Sequence, residues 1–127
     1  MQEKYLYEYA VIRVVPKVER EEFVNVGIVL FSKKQNYLKS RCHLDISKLQ
    51  CFANELDIEQ IQSYLHAFEK INNGDDNGGP IAKMDVPSRF RWLTAVRSSV
   101  LQTSRPHPGF SLDLDATLQK LFEELVA

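Results

Sequence analysis

The chain has 127 residues, with 16 Lys or Arg against 17 Asp or Glu, so its formal net charge is −1 at neutral pH. This length predicts one domain spanning residues 1–127, large enough to bury a core without disulfides or metals. The longest apolar run, Val26 to Phe31, is far shorter than the roughly 20 residues that cross a bilayer. The charge balance also argues against a duplex-binding domain, which is usually basic overall.

The N-terminal residues and the cysteines indicate a cytoplasmic protein. Met1 to Tyr5 lacks the basic and apolar regions of a signal peptide. In the reducing cytoplasm, Cys42 and Cys51 are expected to remain thiols. We therefore predict a cytoplasmic location and no membrane association.

Three segments near the start of the chain predict strands. Tyr5 to Val15 is almost wholly β-branched or aromatic, and it is followed by Pro16, which cannot donate to a ladder. Phe23 to Phe31 is apolar on both alternating faces, as in a central strand that is covered on both sides. Tyr37 to Leu44 alternates and fits an outer strand with one wet face. These segments predict a three-stranded antiparallel meander.

Helical spacing follows the strands. Apolar residues recur every three or four positions from Ile46 to Leu56 and again from Ile61 to Ile71, with Asp45 and Asp57 placed to begin the two helices. Residues 72–80 are rich in Gly, Asn and Asp, and this composition predicts a flexible loop.

The last third of the chain completes the predicted fold. Ser98 to Thr103 predicts a fourth strand, and the apolar stripe from Leu114 to Leu125 predicts a final helix that begins at Ser111 or Asp113. The predicted class is α+β, with a small antiparallel sheet, formed by the meander and a fourth strand, packed against about three helices.

An arginine-rich segment is the strongest functional signal. Between Asp85 and Asp113 the chain has no acid, whereas this stretch has a charge of +4, which leaves −5 for the rest of the chain. Guanidinium groups bind phosphates and carboxylates through two parallel hydrogen bonds. The predicted binding residues are Arg89, Arg91, Trp92, Arg97, Arg105 and His107.

A structural interpretation of the same segment remains open. The arginines could form salt bridges within the fold, and the acid-rich connection 19–22 offers partners. If the segment is extended, Arg89, Arg91 and Arg97 line one face. If it is helical, Arg89 and Arg97 lie on different sides, and the spacing does not decide between the two conformations.

Two polar residues within the apolar strands are candidates for further ligand contacts. Arg13 needs a partner if it is buried, and either a glutamate or a ligand would serve. Asn25 and Gly27 interrupt the second strand, which is typical of a β-bulge or of the close approach of another backbone or a ligand. An internal ion pair for Arg13 and a bulge at Gly27 are the structural alternatives.

The sequence contains no recognisable catalytic or metal-binding motif. Ser98, Ser99 and His107 share one segment and Cys42 adjoins His43, but neither set has the spacing of a known nucleophile and base. Paired zinc-binding cysteines and a phosphate loop are also missing from the sequence. We therefore predict no catalytic residues, metal or cofactor, and a binding protein rather than an enzyme.

Three segments carry a resemblance to a known family. Tyr5 to Pro16, Glu22 to Phe31 and Ser88 to Gly109 resemble the bacterial family catalogued as domain of unknown function 3037, most recognisably at Trp92 to Ala95 and at His107 to Gly109. The family brings no assigned activity. Its members are often encoded beside proteins similar to HipA-type kinases, so the resemblance implies an accessory or regulatory subunit.

The sequence therefore predicts a non-catalytic binding or regulatory domain with a protein partner, for which a HipA-like kinase is the candidate. The alternative is recognition of an anion, a nucleotide or single-stranded nucleic acid through residues 89–107, where Phe90 and Trp92 could stack on bases.

Overall fold

The computed structural model describes residues 3–16, 22–52, 57–95 and 99–126. It confirms the α+β class, with one antiparallel sheet that carries helices on both faces. None of the helices in these ranges is long and apolar enough to span a membrane. The elements are β1 (Tyr5–Val14), β2 (Val24–Ser32), β3 (Tyr37–Cys42), α1 (Ile46–Phe52), α2 (Ile58–Asn73), α3 (Val86–Leu93), β4 (Leu101–Thr103), β5 (His107–Ser111) and α4 (Leu114–Leu125), with a short 3-10 turn at Ile81–Lys83.

The predicted meander is confirmed, because β2 pairs with β1 on one side and with β3 on the other. The other edge of β1 holds two strands, with β4 opposite 12–14 and β5 opposite 5–9. Of the predicted fourth strand 98–103, residues 101–103 form β4, residues 99 and 100 precede it, and Ser98 lies outside the described residues. Strand β5 is an additional strand. Because β5 contains Pro108 and Gly109, its sequence has little β propensity. It is a strand because it pairs with residues 5–9 of β1.

Alternating residues of β1 point to opposite faces of the sheet and contribute to two different hydrophobic cores. Ala10 and Ile12 face the larger core, formed with α1, α2 and α3. Val11 faces the smaller core, where the apolar stripe of α4 contributes Leu118 and Phe122. This arrangement confirms that β2 is covered on both faces.

Helix α2 begins as predicted and ends later than predicted. Asp57 caps it by accepting a hydrogen bond from the backbone N–H of Gln60 at 3.1 Å. The loop expected from residue 72 begins only after Asn73, since Asn72 is a buried part of the helix. Gly74 ends the helix in the left-handed conformation, with φ of 68°, which glycine adopts without strain. Flexibility of the rest of this connection stays a prediction.

The β-bulge predicted in the second strand is confirmed. Ile12 pairs with Gly27 whereas Arg13 pairs with Asn25, which leaves Val26 as the extra residue. The bulge brings Arg13 and Asn25 opposite each other on adjacent strands.

Helix α3 decides the conformation of the first part of the arginine segment. Its N-terminus is capped by Asp85, which accepts a hydrogen bond from the backbone N–H of Ser88 at 2.9 Å, and Pro87 lies in the first turn. Phe90 and Leu93 are buried against the sheet and α2. This part of the segment is thus a helix, and it is a fourth helix beyond the three that were expected.

Candidate functional site

Arg91 is engaged in a salt bridge within the fold. Its Nη1 and Nη2 atoms lie 3.1 and 2.8 Å from the two carboxylate oxygens of Glu8, a bidentate pair. The sequence offered the connection 19–22 as a possible source of partners, but the partner is Glu8, which faces α3 because it shares the β1 face of Ala10. Exposed pairs of this kind contribute about 0–1 kcal/mol, so this one mainly orients Arg91.

Arg89 points away from Arg91, towards the C-terminal end of α2. Its guanidinium lies so close to Gly74 that a Cβ on that residue would overlap it. A cation at this position complements the negative end of the helix dipole. The Nε atom of Arg89 is buried, with no hydrogen-bond partner among the described residues. Arg89 therefore lies against the C-terminal end of α2 rather than beside Arg91.

The remaining basic residues of the segment do not join these two. Arg105 is exposed in the connection between β4 and β5. His107 lies opposite Tyr9, with ring centres 5.3 Å apart, on the α4 side of the sheet, whereas Arg91 lies on the other side. Arg97 lies outside the described residues. The described arginines and His107 therefore do not converge on one anion site.

Arg13 and Asn25 are both drawn into internal contacts. The guanidinium of Arg13 stacks 4.0 Å above the ring of Phe23, and burial lowers its pKa. It has no carboxylate partner among the described residues, and Glu19 and Glu21 lie outside them. Asn25 donates from Nδ2 to the carbonyl of Leu125 at 3.0 Å, which satisfies a backbone group at the end of α4.

An apolar groove forms where α2, the end of α3 and β4 meet. It encloses about 310 Å³. Its floor includes the buried Phe68 and Leu93, and its rims carry Tyr64 and Trp92, which remain 42% and 45% exposed. Its volume and its mixture of apolar and a few polar groups are typical of a binding pocket. The other lining residues are Ala67, Ile71, Ala95, Ser99, Leu101, Gln102 and Thr103.

Sequence reasoning identified one rim of this groove and missed the other. Trp92 was a predicted binding residue. Tyr64 was assigned to the apolar stripe of α2, where its spacing places it beside Leu65 and Phe68. It stays exposed at the edge of that stripe, and such edge aromatics are the only sequence signal that could have suggested it.

The two cysteines differ in accessibility and provide a test of the fold. Burial, together with the charge of Glu69, raises the pKa of the Cys42 thiol to about 12, whereas Cys51 is exposed. At pH 8 nearly all of Cys42 is therefore the unreactive thiol. We expect a maleimide at pH 8 to modify Cys51 alone in the folded protein and both cysteines in urea, as measured by mass spectrometry. Fast modification of Cys42 in the folded protein would contradict this packing.

Comparison with known proteins supports the family resemblance. A family model described as a protein of unknown function, DUF3037, matches residues 9–126. The chain belongs to this family. No curated protein and no solved structure matches it significantly. Within this DUF3037 chain, the match includes every residue that lines the groove.

Proposed function

We propose that this DUF3037 chain is a non-catalytic, cytoplasmic domain that binds a protein partner through the groove between α2, α3 and β4. The observation that supports this function is the pair of half-exposed aromatic rims, Tyr64 and Trp92, above a buried apolar floor. Among the described residues, no group of three His, Cys, Asp or Glu side chains is placed to hold a metal ion.

The physical argument concerns how such a surface gains binding energy. Trp and Tyr bury a large area and lose little conformational entropy, so they are enriched among the residues that dominate protein interfaces. A partner side chain that enters the groove is dehydrated by Phe68 and Leu93 below it and by the two aromatic rings beside it. Most of the affinity is then expected from these few contacts.

A HipA-like kinase is the first partner to test, because the family resemblance implies this neighbour. The domain would then act as an accessory or regulatory subunit. Anion or nucleotide binding through residues 89–107 is the weaker proposal, since Arg91 pairs with Glu8 and the guanidinium of Arg89 lies against Gly74 at the end of α2. That alternative depends on Arg105, His107 and Arg97.

The test uses the single tryptophan of the chain, Trp92, as a reporter. We expect its emission to shift to the blue when a purified HipA-like kinase from the same genome is added. Trp92→Ala should weaken binding by about tenfold or more, which is about 1.4 kcal/mol, as measured by calorimetry. Phe110→Ala is the matched control, because Phe110 is an aromatic residue, 68% exposed, on β5 and outside the groove.

Two outcomes would contradict the proposal that the partner binds in the groove. If Trp92→Ala binds the kinase as well as the wild type does, the interface lies elsewhere. If the kinase does not bind and a nucleotide or a single-stranded oligonucleotide does, with an affinity that falls log-linearly with salt and is lost in Arg105→Ala, the anion alternative replaces it.

A further inference from the structure

One wall of the groove is a strand edge. β4 pairs with β1 and with no other described strand. Hydrogen bonds to β1 from the residues just before and just after β4 define its register. Val15 donates to the carbonyl of Val100 at 2.7 Å, and the backbone N–H of Ser104 donates to the carbonyl of Val11 at 2.8 Å. In an antiparallel pair, hydrogen-bonded and non-hydrogen-bonded positions alternate, so these bonds determine which groups of β4 face β1.

Leu101 and Thr103 occupy the positions that are not hydrogen-bonded to β1, so their backbone N–H and C=O groups point away from β1. The carbonyl of Leu101 accepts a hydrogen bond from the Oγ of Ser99 at 2.6 Å. The N–H groups of Leu101 and Thr103 and the carbonyl of Thr103 have no hydrogen-bond partner among the described residues. Since both residues line the groove, these backbone groups lie beside its apolar floor.

We propose that the partner segment is an extended peptide that adds as a strand to the outer edge of β4. This inference rests on the proposed function and specifies which kind of partner segment binds in the groove. Backbone pairing of this kind supplies sequence-independent hydrogen bonds, and alternate side chains of the added strand supply specificity. One such side chain enters the groove between Tyr64 and Trp92, above Phe68.

The charges around β4 select the flanking residues of that peptide. From Val86 to Leu112 the chain contains no Asp or Glu, and the exposed Arg105 lies two residues beyond β4. An acidic residue beside the apolar anchor, at the end of β4 that carries Arg105, therefore complements this edge. Because β4 has three residues, it offers few backbone bonds, and the anchor in the groove is needed for affinity.

The first experiment selects binders from a displayed library of random peptides of about ten residues, long enough for one strand. The expected sequences alternate apolar and polar residues around one large apolar anchor and carry flanking Asp or Glu. Binding of a selected synthetic peptide should shift the emission of Trp92 and slow hydrogen exchange of the Leu101 and Thr103 amides by tenfold or more, as measured by NMR. Failure to select any such peptide overturns the proposal.

A proline substitution isolates the backbone pairing. Thr103→Pro removes an N–H that points away from β1, so the strand remains compatible with the sheet. It should weaken binding of the selected peptide by about tenfold, whereas Thr103→Val, which has a similar shape and keeps the N–H, should weaken it much less. Should the proline variant fail to fold, amide protection in the wild type still decides the question.

The outcomes separate this inference from the proposed function. If the peptide shifts the emission of Trp92 but leaves both amides unprotected, strand addition is wrong and the groove function stands. If the amides are protected and Trp92→Ala has no effect, β4 recruits the peptide without the aromatic groove, and the anchoring part of the proposal is wrong.

Discussion

Phe90→Ala should lower the free energy of unfolding by about 3–5 kcal/mol, because it empties the site of a large ring in the core. Phe90 is completely buried and stacks on Phe31, with ring centres 4.7 Å apart. A domain of this kind is stable by about 5–15 kcal/mol in total, so the loss removes a large part of its stability. Urea unfolding followed by circular dichroism measures it.

Trp92→Ala is the control on the same helix. Trp92 lies two residues further along α3 and is 45% exposed, so its loss should cost clearly less than that of Phe90, about 1–2 kcal/mol. Equal destabilisation by the two substitutions would show that α3 does not bury the face described above. A small loss in Trp92→Ala would show that this variant can be used to test binding in a folded protein.

Gly27→Ala should destabilise the protein by about 1–3 kcal/mol, because the added methyl group has no room between β2 and β3. A Cβ on Gly27 would lie 2.7 Å from the Sγ of Cys42 and 2.9 Å from the carbonyl oxygen of Arg41. The contact with backbone cannot be relieved by a change of rotamer, so the two strands must move apart. Thermal or urea unfolding of the variant provides the measurement.

A double variant tests the cause of this destabilisation. Gly27→Ala combined with Cys42→Ala removes the closer overlap and leaves the one with Arg41. The two substitutions should therefore cost less together than the sum of their separate costs. Strict additivity would mean that Cys42 does not restrict position 27.

Much of the fold was predictable because its signals are local. The composition of β1 and β2, the bulge at Gly27 and the caps at Asp57 and Asp113 depend on residues near one another in sequence. Strand β5 was not predictable in this way, because Pro108 and Gly109 contradict local β propensity and only the edge of β1 makes them a strand.

The candidate site was predictable only in part. Trp92 stands out as an aromatic residue in a basic segment, but Tyr64 has the spacing of a core residue. The arginines illustrate the same limit, since Arg91 pairs with a glutamate 83 positions earlier in the chain. The sequence shows which residues carry a guanidinium group, but it does not show which residue each of them contacts.

The sequence by itself determined the α+β class, the order of the meander and the family, because hydrophobic period, turn residues and motif spacing act over short distances along the chain. The tertiary structure alone decided that the arginine segment begins as a helix, that Arg89 and Arg91 make separate contacts within the fold, and that an apolar groove opens beside β4. These features depend on which faces and edges meet after the chain has packed, and residues such as Tyr64 and Thr103 become neighbours only then.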